Sequence, residues 1–112
     1  MSKVNLKVVV NNSKNEFMGI FNEKSNIITY SDMDNTLNKF FLDENLLIRS
    51  NTNYNLKIDF NKCTITYNLV GEISVNIPIK ILSIFSEKNV FKVFYVVSDN
   101  DFFKYELYIS EI

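Results

Sequence analysis

The chain has 112 residues, 46% hydrophobic and 22% charged, with 12 basic and 13 acidic side chains and a formal net charge of -1. That balance excludes a disordered or low-complexity chain, and basic residues placed as isolated singles argue against nucleic acid and anionic membrane as partners. There is no His, Trp, Ala or Gln, and Cys63 is the sole cysteine, so the usual materials of metal sites, nucleophilic triads and intramolecular disulfides are missing.

Length predicts one domain over residues 1–112, able to bury a core without disulfide or metal. Lys3 and Lys7 interrupt the first apolar stretch, so no leader h-region is expected and the expected location is cytoplasmic. Abundant Asn, Lys, Ile, Phe and Tyr beside absent Ala is what AT-rich codons would produce, and many Asn residues are read as neutral polar filler.

Residues 3 to 10 alternate Val4, Leu6, Val8 and Val10 against Lys3, Asn5 and Lys7, a strand with one buried face. The run Asn11 to Asn15 reads as a turn. Residues 16 to 22 resume as a second strand pairing back on the first, with Phe17, Gly19 and Phe21 on one face. A third strand runs from 26 to 31 and ends in the acidic turn Ser31 to Asn35; a fourth covers 36 to 42 and a fifth 46 to 50, joined through Asp43-Glu44-Asn45.

The clearest alternation is Tyr54, Leu56, Ile58 and Phe60, followed across Asn61-Lys62 by Cys63, Ile65, Tyr67 and Leu69. It predicts a two-residue hairpin with Asn61 at positive φ. After Gly71-Glu72, the series Ile73, Val75, Ile77, Ile79, Ile81 predicts one long strand, at an edge or a bulge because of Pro78. Residues 83 to 89 read as a turn, and 81 to 87 hold the only candidate helical turn. Residues 90 to 98 and 101 to 110 form a last hairpin closed by Ser98-Asp99-Asn100, its inward set left open by the pattern alone.

No apolar set keeps helical spacing over three turns, and no period of 20 to 50 residues repeats. The expected class is all-β: a single antiparallel meander of about eight to ten strands, closed or nearly closed into a calycin- or lipocalin-like barrel.

Several segments, in this order, resemble a family. Ile27-Ile28-Thr29-Tyr30-Ser31-Asp32 is similar to its strand ending in Tyr, any residue and an acid, and Leu47-Ile48-Arg49 to its strand carrying an Arg. Tyr67-Asn68-Leu69-Val70-Gly71, followed by Ile77-Pro78-Ile79, resembles its turn into the next long strand. Val93-Phe94-Tyr95 and Tyr105-Glu106-Leu107-Tyr108-Ile109 resemble its closing hairpin. The family is the DUF1934 or YwiB-like group of uncharacterised bacterial calycin-like barrels. The resemblance implies a calycin-type barrel without an assigned activity and leaves the function open, since one fold hosts many functions. The chain departs from the family at Asn51, where Gly is usual and where Asn can take the same left-handed conformation. It departs again at Leu69, where Thr is usual.

Arg49 is the only arginine, in phase with Leu47. On an inward face it either binds an anionic ligand group bidentately or pairs structurally with Asp32, Asp34 or Glu106. Tyr30, Tyr54, Tyr67 and Tyr95 would line a pocket with polar tips if they point inward, although a barrel of about eight strands is narrow enough to be filled by its own side chains. The acids from Asp32 to Glu44 lack calcium-loop spacing and read as solvated turn residues. Cys63 has no His partner and reads as a packed thiol. No catalytic residue, metal or cofactor is assigned.

Two readings follow. The first is a non-catalytic barrel taking a small apolar or amphipathic, anionic ligand through Arg49, Tyr30, Tyr67 and Tyr95, with a cavity of about 300 Å³ or more. The second is a filled barrel that pairs with itself or another protein through an exposed apolar face or edge. The double-sided apolar run Val90 to Val97 points to this second reading.

Overall fold

The computed structural model describes residues 1–69 and 74–112, so the expected Gly71-Glu72 turn, with Val70 and Ile73, lies outside the described residues. Eleven strands follow in order: β1 (Ser2–Val10), β2 (Ser13–Asn22), β3 (Ile27–Ser31), β4 (Leu37–Phe41), β5 (Leu46–Ser50), β6 (Tyr54–Asp59), β7 (Thr64–Leu69), β8 (Ser74–Pro78), β9 (Lys80–Glu87), β10 (Val90–Val96) and β11 (Phe102–Glu111). They form one antiparallel sheet in the order β8-β7-β6-β5-β4-β3-β2-β1-β11-β10-β9. The chain is all-β, and the sheet curls into a nearly closed barrel.

Closure comes from the sequence itself. The two edge strands, β8 and β9, are consecutive and separated only by Ile79, so the sheet's ends meet there. The long strand expected across this stretch is therefore divided between the two edges. Pro78 ends the ladder with β7 because it has no N–H to donate, while the Ile79 N–H bonds the Cys63 carbonyl at 3.0 Å and the Ile79 side chain is buried. Among the described members of the expected inward series, Ile79 is buried, Ile77 and Ile81 are half-buried, and Val75 is 51% exposed.

Other local expectations are corrected by turn chemistry. Residues 81 to 87 are strand, not a helical turn or loop, because β10 offers them a ladder interrupted only by a register shift at Leu82; the turn shrinks to Lys88-Asn89. Ser13 to Asn15 belong to β2, leaving Asn11-Asn12 as the first turn. The loop between β6 and β7 is Phe60 to Cys63, and its positive φ falls on Cys63 rather than Asn61. Asp59 sets that geometry by accepting the N–H groups of Asn61 and Lys62 at 3.1 and 2.9 Å.

Nor are the asparagines mere filler. In a chain with two glycines, Asn11, Asn26, Asn35, Asn45 and Asn89 supply the left-handed residue in five turns. Asn51 does not use that conformation. Its side chain instead accepts the N–H groups of Asn53 and Tyr54, at 2.8 and 3.1 Å.

The inward set of the last hairpin is Phe91, Val93 and Tyr95 with Tyr105, Leu107 and Ile109. Across the barrel, Phe40 on β4 lies 4.6 Å from Phe91, centroid to centroid, and Phe60 lies 5.6 Å from Phe91. These rings plug one half of the interior. Leu69 departs from its phase and is exposed, as is Phe94 on the outer face. Glu106 also faces out, within 3.9 Å of Lys92 and Lys104 and hydrogen-bonded by the Tyr108 hydroxyl, so it is not the partner of Arg49.

Gly19 allows β1 and β2 to pack. A Cβ there would stand 2.6 Å from Cδ1 of Leu6, which is confined in the core, and 3.1 Å from the Thr29 carbonyl oxygen. Gly19→Val is expected to destabilise the fold by about 1–3 kcal/mol, the usual cost of overpacking. Urea unfolding should show a lower midpoint at unchanged slope; an unchanged midpoint would mean that Leu6 has room to move.

Candidate functional site

Hairpin alternation brings the connections 11–12, 32–36, 51–53 and 97–101 to one end of the barrel, opposite the end that carries 23–26, 42–45, 60–63 and 88–89. At the first end the aromatic plug stops and a cavity of about 390 Å³ opens. Its depth is lined by Val8, Leu47, Ile58, Ile65 and Tyr105, and its rim by Asn15, Asp32, Met33, Asp34 and Arg49. One half of the interior is thus filled and the other open, the geometry that the two sequence readings divided between them.

Arg49 reaches this mouth from β5, in the inward phase of Leu47. Its Nη2 donates to Asp32 Oδ2 at 2.6 Å and its Nε to Asn38 Oδ1 at 3.0 Å. Asn38, its direct neighbour across the β4–β5 ladder, is fully buried and donates in turn to Asp32 Oδ2 and to the Thr36 carbonyl, at 3.2 and 3.0 Å. Asp32 Oδ1 accepts the N–H groups of Asp34 and Thr36 at 3.0 and 3.2 Å, closing the loop over the left-handed Asn35. Asn51 adds a bond to the Thr36 hydroxyl at 3.2 Å, tying the 32–36 loop to the 51–53 loop.

Of the structural partners considered for Arg49, Asp32 is the one found. The anionic-ligand expectation relied on a free guanidinium fork, and two of its donor positions are already engaged. Burial alone would raise the Asp32 carboxyl, but the hydrogen bonds from Arg49, Asn38 and two backbone N–H groups outweigh it and hold the group below its ordinary value. Burial works against the Arg49 charge too; the bond to Asp32 more than offsets it, and the guanidinium stays protonated.

Tyr30 and Tyr95 both line the cavity. The Tyr30 hydroxyl lies 3.3 Å from that of Tyr105, and burial pushes all three phenols above their ordinary value while the nearby Arg49 charge partly counters it. The Tyr95 hydroxyl has no protein partner among the described residues. Tyr67 is not part of the lining; its ring stacks on Tyr54 at 5.7 Å. Sequence reasoning missed Tyr105, Phe17, Phe103 and Asn38. Asn38 had a signal: a polar residue two positions before Phe40, in the same phase.

Asp34 stands on the rim, while Asp43 is at the opposite end, bonded by Asn26. Cys63 packs against the core, its thiol 3.9 Å from the Phe60 carbonyl. No helix among the described residues is long and apolar enough to cross a membrane. Comparison with protein-family models, curated proteins and solved structures gave no match to this chain.

The Asp32 network predicts a pH dependence. The folded pKa of Asp32 lies below its unfolded value of about 3.9, so its contribution is complete above that pH and is lost as pH falls through the folded value. Asp32→Asn keeps the shape and removes the charge. It is expected to cost about 1.5–3 kcal/mol at neutral pH, as loss of a charged hydrogen bond does. Denaturant titrations from pH 7 to 2 should show part of the acid loss gone in the variant; parallel curves would remove Asp32 from the account.

Proposed function

We propose that this chain is a non-catalytic binding barrel, a cytoplasmic bacterial protein of the YwiB-like kind, that takes a small apolar or amphipathic ligand into its open half. One observation carries the reading: about 390 Å³ of space, within the range of small-molecule sites, with apolar walls and a few polar groups converging at one mouth. That volume lies near the lower end of the range of roughly 300–1,000 Å³ for small-molecule sites, so the ligand is of modest size. Arg49, Tyr30 and Tyr95 orient its polar end, with Tyr105 beside them.

Native mass spectrometry of freshly purified protein is expected to show an added mass that is lost under denaturing conditions. Leu56 lines the open half, so Leu56→Phe puts a ring into the space and should abolish the added mass while the fold persists. A parent protein that carries no added mass and binds no neutral apolar dye would end this reading.

A second reading, homodimerisation or pairing with another protein, is favoured by β9. This eight-residue edge strand carries exposed Leu82, Ile84 and Phe85, and Phe94 and Phe102 are exposed on the neighbouring strands. On that reading Phe94→Lys turns a dimer into folded monomers in sedimentation; a parent protein that is monomeric at high concentration refutes self-pairing.

A further inference from the structure

Resting on the binding-barrel reading, we propose that the cavity selects a ligand whose polar end is a neutral hydrogen-bond acceptor, such as an alcohol, amide or ester, and rejects a carboxylate on the same apolar body. The charge of Arg49 is already answered. Asp32 takes Nη2 at 2.6 Å and Asn38 fixes Nε at 3.0 Å, so the fork does not face the cavity as an open, uncompensated cation. The lining holds one cation, Arg49, against two carboxylates, Asp32 and Asp34.

A ligand carboxylate would have to displace Asp32 or share Arg49 with it, and would bring a third negative charge into a partly desolvated mouth. What the mouth offers instead is donors. Among the described residues, Arg49 Nη1 and the Tyr95 hydroxyl have no protein acceptor, and the Tyr30–Tyr105 hydroxyl pair stands at the depth of the same cavity. Phenols, with an ordinary pKa of about 10, are O–H donors at neutral pH, and burial shifts these three further from ionisation. A neutral oxygen acceptor accepts from such groups without a charge to desolvate.

The test uses the full chain, freed of any retained mass, with the neutral dye 1-aminoanthracene displaced by ligands sharing an eight-carbon body. At pH 7, 1-octanol and octanamide are expected to displace the dye at concentrations at least about tenfold below octanoate, the effect of roughly 1.4 kcal/mol in a binding constant. Octanoate displacing as well as octanol would overturn head-group selection while leaving the barrel reading intact. Failure of the dye and of all three ligands to bind would overturn both.

Asp32→Asn uncovers the Arg49 charge and is expected to move the octanol-to-octanoate ratio at least about tenfold toward octanoate. An unchanged ratio in the folded variant would show that charge compensation does not set the selectivity. Should that variant fail to fold, Asp34→Asn on the exposed rim is the substitute, and it should move the octanol-to-octanoate ratio several-fold toward octanoate; an unchanged ratio would count against the proposal.

Discussion

The structure depends on one steric constraint: the strands at the two ends of the sheet are neighbours in the chain, with a single residue between them. A residue of extended backbone spans roughly 3.5 Å, so β8 and β9 cannot lie apart at Ile79, and a sheet of eleven strands has to curl until its edges meet. Register pairing of β1 with both β2 and β11 completes the ring on the opposite side. The fold's topology is thereby simple: every pairing except that of β1 with β11 joins sequence neighbours, so most of the barrel assembles from hairpins.

Once the ring is closed, its bore has to be filled or left open. Phe40, Phe60 and Phe91 meet across one half, and rings that size exclude water and fix the distance between opposite walls. At the other half the inward positions change from large apolar groups to Asn38, Arg49 and Asp32, which turn toward one another rather than across the bore. Their mutual bonds leave no buried polar side-chain atom without a partner among the described residues. The cavity is what remains beyond the Phe40, Phe60 and Phe91 rings, walled by Phe17, Tyr30, Tyr95, Phe103 and Tyr105 together with aliphatic side chains.

Much of this was legible in period-2 alternation. The bounds of β5 are those expected, β3 and β6 differ by a residue or two, and the barrel follows from the succession of tight turns. The failures are instructive. A turn was expected at 83–89 and a helical turn at 81–87, but ladder bonds to β10 hold residues up to Glu87 in a strand. At 60–63, Asn61 was favoured for the left-handed position on propensity, yet the Asp59 side chain captures the two preceding N–H groups and moves the left-handed residue to Cys63. Arg49, Tyr30 and Tyr95 could be picked as residue types in an inward phase. That Tyr67 would fall outside the cavity depends on strand shear, which is a property of the closed barrel and leaves no local trace in sequence.

The pairing of Arg49 with Asp32 binds stability to chemistry at the same place. An arginine on the inward face of a barrel is costly unless it is compensated, and this chain compensates it with a carboxylate that also caps its own loop through the N–H groups of Asp34 and Thr36. The loop is therefore shaped by the group that neutralises the cation, and the cation is aimed by the strand register that places Asn38 beside it. A mouth built this way is held by its own hydrogen bonds, which tie the 32–36 loop to β4, β5 and the 51–53 loop. It also presents a guanidinium whose charge is answered by Asp32, beside the uncharged hydroxyls of Tyr30, Tyr95 and Tyr105.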